Sequence, residues 1–428
     1  MNRKNIYPAE TSTQSFGQLS VNTVTQLGYK PITDAKVTIK KATPGNETVD
    51  ILTTNQLGRT VTIDLETPPL EYSLEPNNPK PYSEYNIEIS AENFEPVKIA
   101  GSQILPNELA LQDVGMIPLV ETSSIKIKNQ QQEVLVIGPH TLYGEYPPKI
   151  PESEVKEDVE NSFIVLEKPV VPSIIIVHDG TPDDTTAPNF FVPFTSYIKN
   201  VASSEIYSTW PESTIQANIL AILSFTLNRI YTEWYRGKGK NFNITSSTAY
   251  DHKFIFGRNI YKNISNIVDQ IFVNYLSRPG IIQPILTQYC DGVQVTCPNW
   301  MTQWGSKYRG DLGENPIEIL RYFYGEDMFI NTAEKVTGIP ESFPGYNLTV
   351  GSTGAPVRTI QRQLNAISNN YPAIPKLRVD GVYGSKTKDA VEEFQKAFLL
   401  PITGIVDYPT WYKISDIFVA VTRLAELA

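Results

Sequence analysis

The sequence predicts a multidomain protein with an N-terminal all-β sandwich, a central α+β region and a small helical C-terminal domain. The length of 428 residues corresponds to about three domains of ordinary size. Apolar residues alternate with polar ones before residue 120 and recur at helical spacing after residue 210. With 41% hydrophobic and 19% charged residues, the composition is that of a protein that folds around apolar cores.

The pattern of the N-terminal region, residues 1–143, predicts a series of short strands. Leu19 and Val21 alternate with polar neighbours in one run, and Val37 and Ile39 do so in the next. Turns rich in glycine, proline and asparagine separate the runs. Short strands at this spacing predict a β-sandwich. Residues 24–39 resemble the small transthyretin-like and carboxypeptidase-regulatory sandwiches, a resemblance that implies no catalytic residues.

Residues 144–171 have a different composition, because several prolines precede the acidic run 152–160. Proline and like charge oppose packing and favour an extended, solvated connector. Exposed segments of this kind are where proteases cut. We therefore expect an activating cleavage between Val155 and Lys168, near Ile164 and Val165.

The central region, residues 172–345, combines a β-branched strand at 174–177 with a long helix that begins at Pro211. Ile215, Ile219 and Ile222 lie near helical spacing. Pro211 is expected at the first helical position, with Glu212 in the first turn. This pattern predicts an α+β region with a buried helix.

The C-terminal region, residues 346–428, shows two helical faces, one around Ile360 and one around Phe394. A glycine-containing turn at 380–384 separates them. The segment 380–387 recurs loosely at 403–410, which indicates two turns that each lead into a helix.

Charge and composition exclude several functions. A formal net charge of −10, from 46 acidic and 36 basic residues, gives no electrostatic reason to bind nucleic acid. No apolar run approaches the roughly 18 residues that span a bilayer, and no apolar segment of a secretion signal follows the first five residues. Two cysteines and three histidines leave little scope for metal or histidine-based catalysis. Carboxylates are the expected catalytic groups.

Residues 350–411 resemble the peptidoglycan-binding type 1 domain, a three-helix module. The matching pattern includes Gly351, Gly354 and the glycine turns that end at Gly384 and Gly404. Thr403 departs from it, because the family usually has aspartate there, and residues 399–400 replace a Gly-Leu pair. The resemblance implies a shallow groove for a sugar or stem peptide. The residues we place near it are Gln361, Asp380, Tyr383 and Trp411. For apolar positions such as Trp411 the alternative is a simple place in the core.

Three segments of the central region resemble the stage II sporulation D and amidase-enhancer domain of peptidoglycan lytic transglycosylases. They are residues 210–218, residues 246–257 and the Asn-Trp-Met-Thr-Gln-Trp-Gly-Ser run at 299–306. The resemblance implies that Glu212 is the catalytic carboxyl. It also implies substrate contacts, which we assign to Gln303, Trp304, Tyr308 and His252.

One carboxyl is sufficient for lytic transglycosylase chemistry, because the C6 hydroxyl of the muramic residue is the nucleophile. The acid must be protonated near neutral pH, which requires burial to outweigh the helix N-terminus. Glu212 would meet this condition if apolar neighbours such as Trp210 bury it. The alternative for Glu212 is an ordinary first-turn helix residue.

The two cysteines, Cys290 and Cys297, invite a zinc interpretation, because some members of this family hold a metal through cysteines near this point. Zinc prefers four ligands, and His252 is the one obvious third candidate. Six residues separate the cysteines, more than the two to four of a zinc knuckle. A short-loop disulfide or two free thiols is therefore expected in preference to a zinc site.

The order of the three regions resembles the clostridial spore cortex-lytic enzymes that are made as proenzymes. This resemblance implies a lytic transglycosylase of the outer cortex or coat region that an activating protease switches on during germination. Its partners would be cortex peptidoglycan and that protease. An N-acetylmuramoyl-L-alanine amidase is the first alternative, although three histidines argue against its zinc site. A non-catalytic cell-wall binder or amidase activator is the second.

Overall fold

A computed structural model gives the fold, and it describes residues 15–26, 29–119, 133–151, 166–338 and 341–422. The protein is a mixed α/β multidomain chain with a β-rich N-terminal region and C-terminal helices, as the sequence predicts. Most of the predicted cleavage interval lies outside the described residues.

The N-terminal region is built from strands whose inward side chains are apolar. In chain order they are β1 (Ser15–Thr25), β2 (Lys36–Lys41), β3 (Thr48–Thr53), β4 (Ile63–Thr67), β5 (Ser83–Ser90), β6 (Val97–Ile104), β7 (Leu109–Met116) and β8 (Glu133–Val136). One sheet contains β7, β1 and β4, with β1 parallel to β7 and antiparallel to β4. The other has the order β3-β2-β5-β6-β8. The alternating residues Leu19, Val21, Val37 and Ile39 are fully buried, which confirms the predicted strand faces.

The central region surrounds a buried helix. Its elements are β9 (Val170–Val171), β10 (Ile174–His178), β11 (Asn189–Pro193), α1 (Phe194–Glu205), α2 (Glu212–Tyr231), β12 (Ile244–Thr245), β13 (Ile260–Tyr261), α3 (Lys262–Ile271), β14 (Asn274–Ser277), β15 (Tyr289–Cys290), β16 (Met301–Thr302), α4 (Gln303–Asp311), α5 (Pro316–Tyr324), β17 (Phe329–Thr332) and β18 (Lys335–Val336). Helix α2 is buried along most of its length, and polar side chains within it, such as Asn218 and Ser224, hydrogen-bond to neighbouring segments. Pro211 is the N-cap and Glu212 the first helical residue, one position later than predicted.

The N-terminal and central regions share a sheet. Strand β13 pairs antiparallel with β7, so the sheet continues across the boundary predicted at residue 143. Beside this junction the side-chain amide of Asn259 donates to the carbonyl of Gln103 at 2.8 Å and accepts from its N–H at 3.1 Å. Paired buried backbone groups of this kind resist separation in water.

The described ends of the predicted connector are anchored to the central region by backbone hydrogen bonds. The N–H of Ile150 donates to Ala249 at 2.7 Å, and that of Leu166 donates to Tyr231 at 3.0 Å. Strand β9 pairs with β18. Backbone hydrogen bonds therefore attach both described ends to the central region, and the solvated connector stays a prediction. Five residues of these ends are exposed, namely Glu145, Pro147, Pro148, Glu167 and Lys168.

The C-terminal region contains three helices, α6 (Ala355–Ile367), α7 (Ser385–Ala397) and α8 (Tyr408–Thr422). The predicted helical faces around Ile360 and Phe394 lie in α6 and α7 and are fully buried. Within the described parts of the chain, no helix combines the length and apolar character needed to cross a membrane.

Candidate active site

A small pocket of about 60 Å³ lies where the C-terminal end of α1 meets the segment 249–253 and strand β15. Glu205, Asp251, Tyr289 and Gln303 contribute to its wall. Residues 141–149, which precede the central region, line the remaining side. The pocket thus brings together three carboxyl groups and two phenols, those of Glu205, Asp251, Asp291, Tyr146 and Tyr289.

Glu205 is the last residue of α1 and is buried. Its Oε1 accepts from the N–H of Lys253 at 2.6 Å, and its Oε2 accepts from the hydroxyl of Tyr289. Burial raises the pKa of the Glu205 carboxyl, and the nearby ammonium of Lys149 and these two hydrogen bonds offset part of the rise. A carboxyl whose pKa lies above its ordinary range in a pocket has the properties of a general acid.

The backbone of helix α1 is fixed close to Glu205. The side chain of Asn200 donates to the carbonyl of Ile255 at 2.8 Å and accepts from its N–H at 3.0 Å. The side-chain amide of Gln303 donates to the carbonyl of Glu205 at 2.9 Å. Glu205 therefore has little freedom to leave the pocket wall.

Asp251 is fully buried and fixes the opposite wall. Its Oδ1 accepts from Nε of Arg229 at 2.9 Å. Its Oδ2 accepts from the hydroxyl of Tyr235 at 2.6 Å and from the N–H and hydroxyl of Thr245 at 2.9 and 2.8 Å. A carboxylate with this many donors is a structural anchor, since its lone pairs are already used.

Glu212, the carboxyl singled out in the sequence, is exposed at the start of α2. Its Oε1 accepts from the side-chain amide of Gln216 at 3.0 Å. The preceding Trp210 is buried and donates from Nε1 to the carbonyl of Ser73 at 2.9 Å. The burial that an acid requires is thus found at Glu205 and not at Glu212, and the catalytic assignment of Glu212 stays a prediction.

The four predicted substrate-binding residues are placed differently. Gln303 is buried in the pocket wall. Trp304, partly buried, packs against Trp210 with ring centroids 5.0 Å apart. Tyr308 is 64% exposed on α4 and is free to meet a ligand. His252 is fully buried beneath the pocket, with Nδ1 3.1 Å from the hydroxyl of Tyr197.

Burial, together with the charges of Lys149 and Arg229, holds the pKa of His252 well below its usual range. The neutral ring stacks on Tyr289 with centroids 5.8 Å apart. His252 therefore acts as packing for the pocket floor and has no direct exposure to a substrate.

Cys290 and Cys297 form a disulfide, with their Cα atoms 6.1 Å apart. Sulfurs bonded to each other cannot also act as thiolate ligands. Across the described ranges, no three histidine, cysteine, aspartate or glutamate side chains are placed to hold a metal ion. Of the alternatives left open by the sequence, the structure has the short-loop disulfide.

The side-chain amides of Gln361 and Gln395 each hold one of the two glycine turns of the C-terminal domain by hydrogen bonds. The amide of Gln361 donates to Oδ1 of Asp380 at 3.1 Å and to the carbonyl of Val382 at 3.1 Å, and its Oε1 accepts from the N–H of Gly381 at 2.9 Å. Gln395 repeats this pattern around residues 403–405, with Thr403 Oγ1 in the place of the Asp380 carboxylate. The hydroxyl accepts the same hydrogen bond as the carboxylate, so the departure at Thr403 leaves the second turn intact.

The other candidate residues of this domain are internal, with Asp380 as the exception. Tyr383 and Trp411 are fully buried and donate to the carbonyls of Gly404 and Glu341 at 2.9 and 3.1 Å. Both side chains therefore belong to the core and not to a groove. For Trp411, a place in the core was the alternative given in the sequence analysis. Asp380 is exposed, and hydrogen bonds from Val382 and Gln361 lower its pKa, so it presents a fixed negative charge to a ligand.

One comparison with known proteins identifies the C-terminal domain. The family model described as "Putative peptidoglycan binding domain" matches residues 353–414. The match supports a cell-wall-binding C-terminal domain and connects the protein to peptidoglycan. No curated protein matches the chain.

Two solved structures show weak likeness to this chain. The crystal structure of 3-chlorocatechol 1,2-dioxygenase from Rhodococcus opacus 1CP is 13% identical, with 25% of this chain and 61% of that one covered and a TM-score of 0.17. A putative membrane-associated protein of unknown function from Bacteroides fragilis NCTC 9343 is 17% identical, with 26% and 30% covered and a TM-score of 0.14. The chain spans less than two thirds of either protein. At these TM-scores neither likeness carries an argument about fold or function.

Proposed function

We propose that this protein is a peptidoglycan lytic transglycosylase that acts on spore cortex, with Glu205 as the acid and the C-terminal domain as the wall anchor. The observation that carries the proposal is the buried carboxyl of Glu205 at a pocket wall, with its pKa raised by burial. The matched peptidoglycan-binding domain at 353–414 supports the choice of substrate.

The reaction needs a single enzymic carboxyl. Glu205 in its protonated form donates its proton to the glycosidic oxygen, and the bond from that oxygen to C1 of the muramic residue breaks. The C6 hydroxyl oxygen of the same residue bonds to C1, and its proton passes to the Glu205 carboxylate. The products are an anhydromuramic end and a free sugar hydroxyl, and the acid is regenerated.

We further propose that the chain is a precursor that an activating protease cuts between Val155 and Lys168, near Ile164 and Val165. A contact between the residues before the cut and the proposed acid supports this, because the N–H of Thr141 donates to the carbonyl of Ser204, next to Glu205, at 3.1 Å. N-terminal sequencing of the active species tests it. A start before Glu133 or after Ile174, or an uncut chain as active as the cut one, contradicts the precursor proposal.

Product analysis with matched variants tests the chemistry. Glu205→Gln keeps the shape and most hydrogen bonds but removes the acid, so turnover of the cut chain should fall by about 10² to 10⁴. Glu212→Gln is the matched variant, and we expect it to retain most activity because its carboxyl is exposed. The reverse pattern would make Glu212 the acid, as the sequence resemblance implies.

Mass spectrometry of the digest separates the alternatives. Anhydromuramic ends support the lytic transglycosylase. Free stem peptides would mean an N-acetylmuramoyl-L-alanine amidase, and intact glycan with the wall still bound would mean a non-catalytic cell-wall binder.

A further inference from the structure

One side of the pocket beside Glu205 is formed by residues 140–150, which we call the strap. The N–H of Thr141 donates to the carbonyl of Ser204 at 3.1 Å at one end, and that of Ile150 donates to Ala249 at 2.7 Å at the other. Between them, the side-chain amide of Gln294 donates to the carbonyl of Leu142 at 3.3 Å. The strap is therefore attached to three sides of the pocket.

Lys149 is the strap residue that enters the pocket. Its Nζ donates to the backbone carbonyl of Asp251 at 2.6 Å. It also lies 4.7 Å from the ring centroid of Phe225 and 5.0 Å from that of Tyr289, distances at which an ammonium is attracted to an aromatic face. Tyr289 is the residue that also donates to Glu205, so the ammonium and the carboxyl share a wall.

The pocket is too small for a glycan. Its volume is about 60 Å³, whereas sites for small molecules occupy roughly 300–1,000 Å³. A sugar ring can reach Glu205 only after the strap moves. The strap also precedes the interval 155–168, so a cut there leaves Lys149 on the N-terminal fragment.

We propose that the strap is an internal blocking segment in which Lys149 fills the pocket and opposes protonation of the Glu205 carboxyl until the strap is displaced. The inference rests on the proposed function and identifies Lys149 as the residue that regulates the proposed acid, Glu205. An ammonium close to a carboxylate favours the charged form, so Lys149 opposes the effect of burial on Glu205. Other titratable groups close to Glu205 are those of Lys253, Tyr289, Tyr146 and Tyr197.

The test uses the full, uncut chain and three lysine variants. Lys149→Met keeps the side-chain length and removes the charge, Lys149→Arg keeps the charge, and Lys168→Met removes a distant exposed lysine that pairs with Glu334. Lys149→Gln is a second neutral variant in case methionine disturbs folding, which circular dichroism monitors. The readouts are release of anhydromuramic ends from purified peptidoglycan and titration of Glu205 by infrared difference spectroscopy against Glu205→Gln.

Lys149→Met removes the ammonium contacts that hold the strap in the pocket, so the strap opens more often. We expect the rate of the uncut chain to rise about tenfold or more and the Glu205 titration midpoint to move upward by about one pH unit. Lys149→Arg and Lys168→Met should resemble the wild type in both readouts. An unchanged midpoint in both neutral variants overturns the inference. If the midpoint rises but neither these variants nor the cut wild-type chain release anhydromuramic ends, the effect of Lys149 on Glu205 stands and the lytic transglycosylase proposal fails.

Discussion

Tyr289 donates a hydrogen bond from its hydroxyl to Oε2 of Glu205, and both side chains are buried. A hydrogen bond to a carboxylate stabilises its charged form. Tyr289 therefore offsets part of the rise that burial causes in the pKa of Glu205, and the protonation of the proposed acid depends on a residue of strand β15.

The variant Tyr289→Phe should move the activity of the cut chain toward higher pH. Without the phenolic donor, the charged form of Glu205 loses stabilisation and its pKa rises, so the acid stays protonated to a higher pH. We expect the falling limb of the pH–rate profile to move up by about one unit or less. Tyr322→Phe, at an exposed position on α5, is the control and should leave the profile in place. A downward shift for Tyr289→Phe would contradict the role given to Glu205.

The variant Asp251→Asn should strongly destabilise the fold. It leaves the buried Arg229 without its charge partner and disturbs the hydrogen bonds from Tyr235 and Thr245. Breaking one side of a buried ion pair costs about 3–5 kcal/mol, which urea denaturation followed by circular dichroism measures. Asp183→Asn breaks an exposed pair with Lys240 and should change stability by less than about 1 kcal/mol. Equal effects of the two variants would mean that the Asp251 network is not a structural anchor.

Removal of the disulfide should lower stability moderately. Cys290 and Cys297 are seven positions apart, and closing a loop of this size stabilises a fold by about 2–3 kcal/mol. The double variant Cys290→Ser with Cys297→Ser should therefore unfold at lower urea concentration, and the wild type in reductant should match it. Added zinc should not restore the stability of the reduced wild type. Restoration by zinc would instead favour the metal site that the sequence left open.

The variant Asp380→Ala should weaken binding to insoluble peptidoglycan. Asp380 is exposed, and its carboxylate accepts from Gln361 and from the N–H of Val382, so its loss removes a charge and loosens the turn at once. We expect bound protein in a pull-down to fall about tenfold, a loss of roughly 1.4 kcal/mol. Asp389→Ala, at an exposed position on α7, is the control. Unchanged binding by Asp380→Ala would mean that the domain contacts peptidoglycan through another part of its surface.

Local patterns in the sequence were sufficient for several elements, and the family resemblance of residues 350–411 was sufficient for the wall-binding domain. Alternation at Leu19 and Val37 identified strand faces, and the spacing around Ile360 and Phe394 identified two helices. These predictions succeed because periodicity reports which side of one element faces a core. The repeated glycine turns likewise lie within a short stretch of chain, where Gln361 and Gln395 hold them in the same way.

The candidate acid, the backbone hydrogen bonds of the connector and the cysteine pairing were decided by tertiary structure alone. Glu205 and Glu212 are seven residues apart in sequence, yet one is buried and the other exposed. The sequence offered one clue, because Glu205 is the last residue of a helix, α1, that has an apolar face. The groups that change the pKa of Glu205, however, belong to Lys149, Lys253 and Tyr289, which are far apart along the chain. Burial and nearby charges change a pKa through space. The sequence shows which residues carry carboxyl groups, but only the folded chain determines which of these groups is protonated near neutral pH.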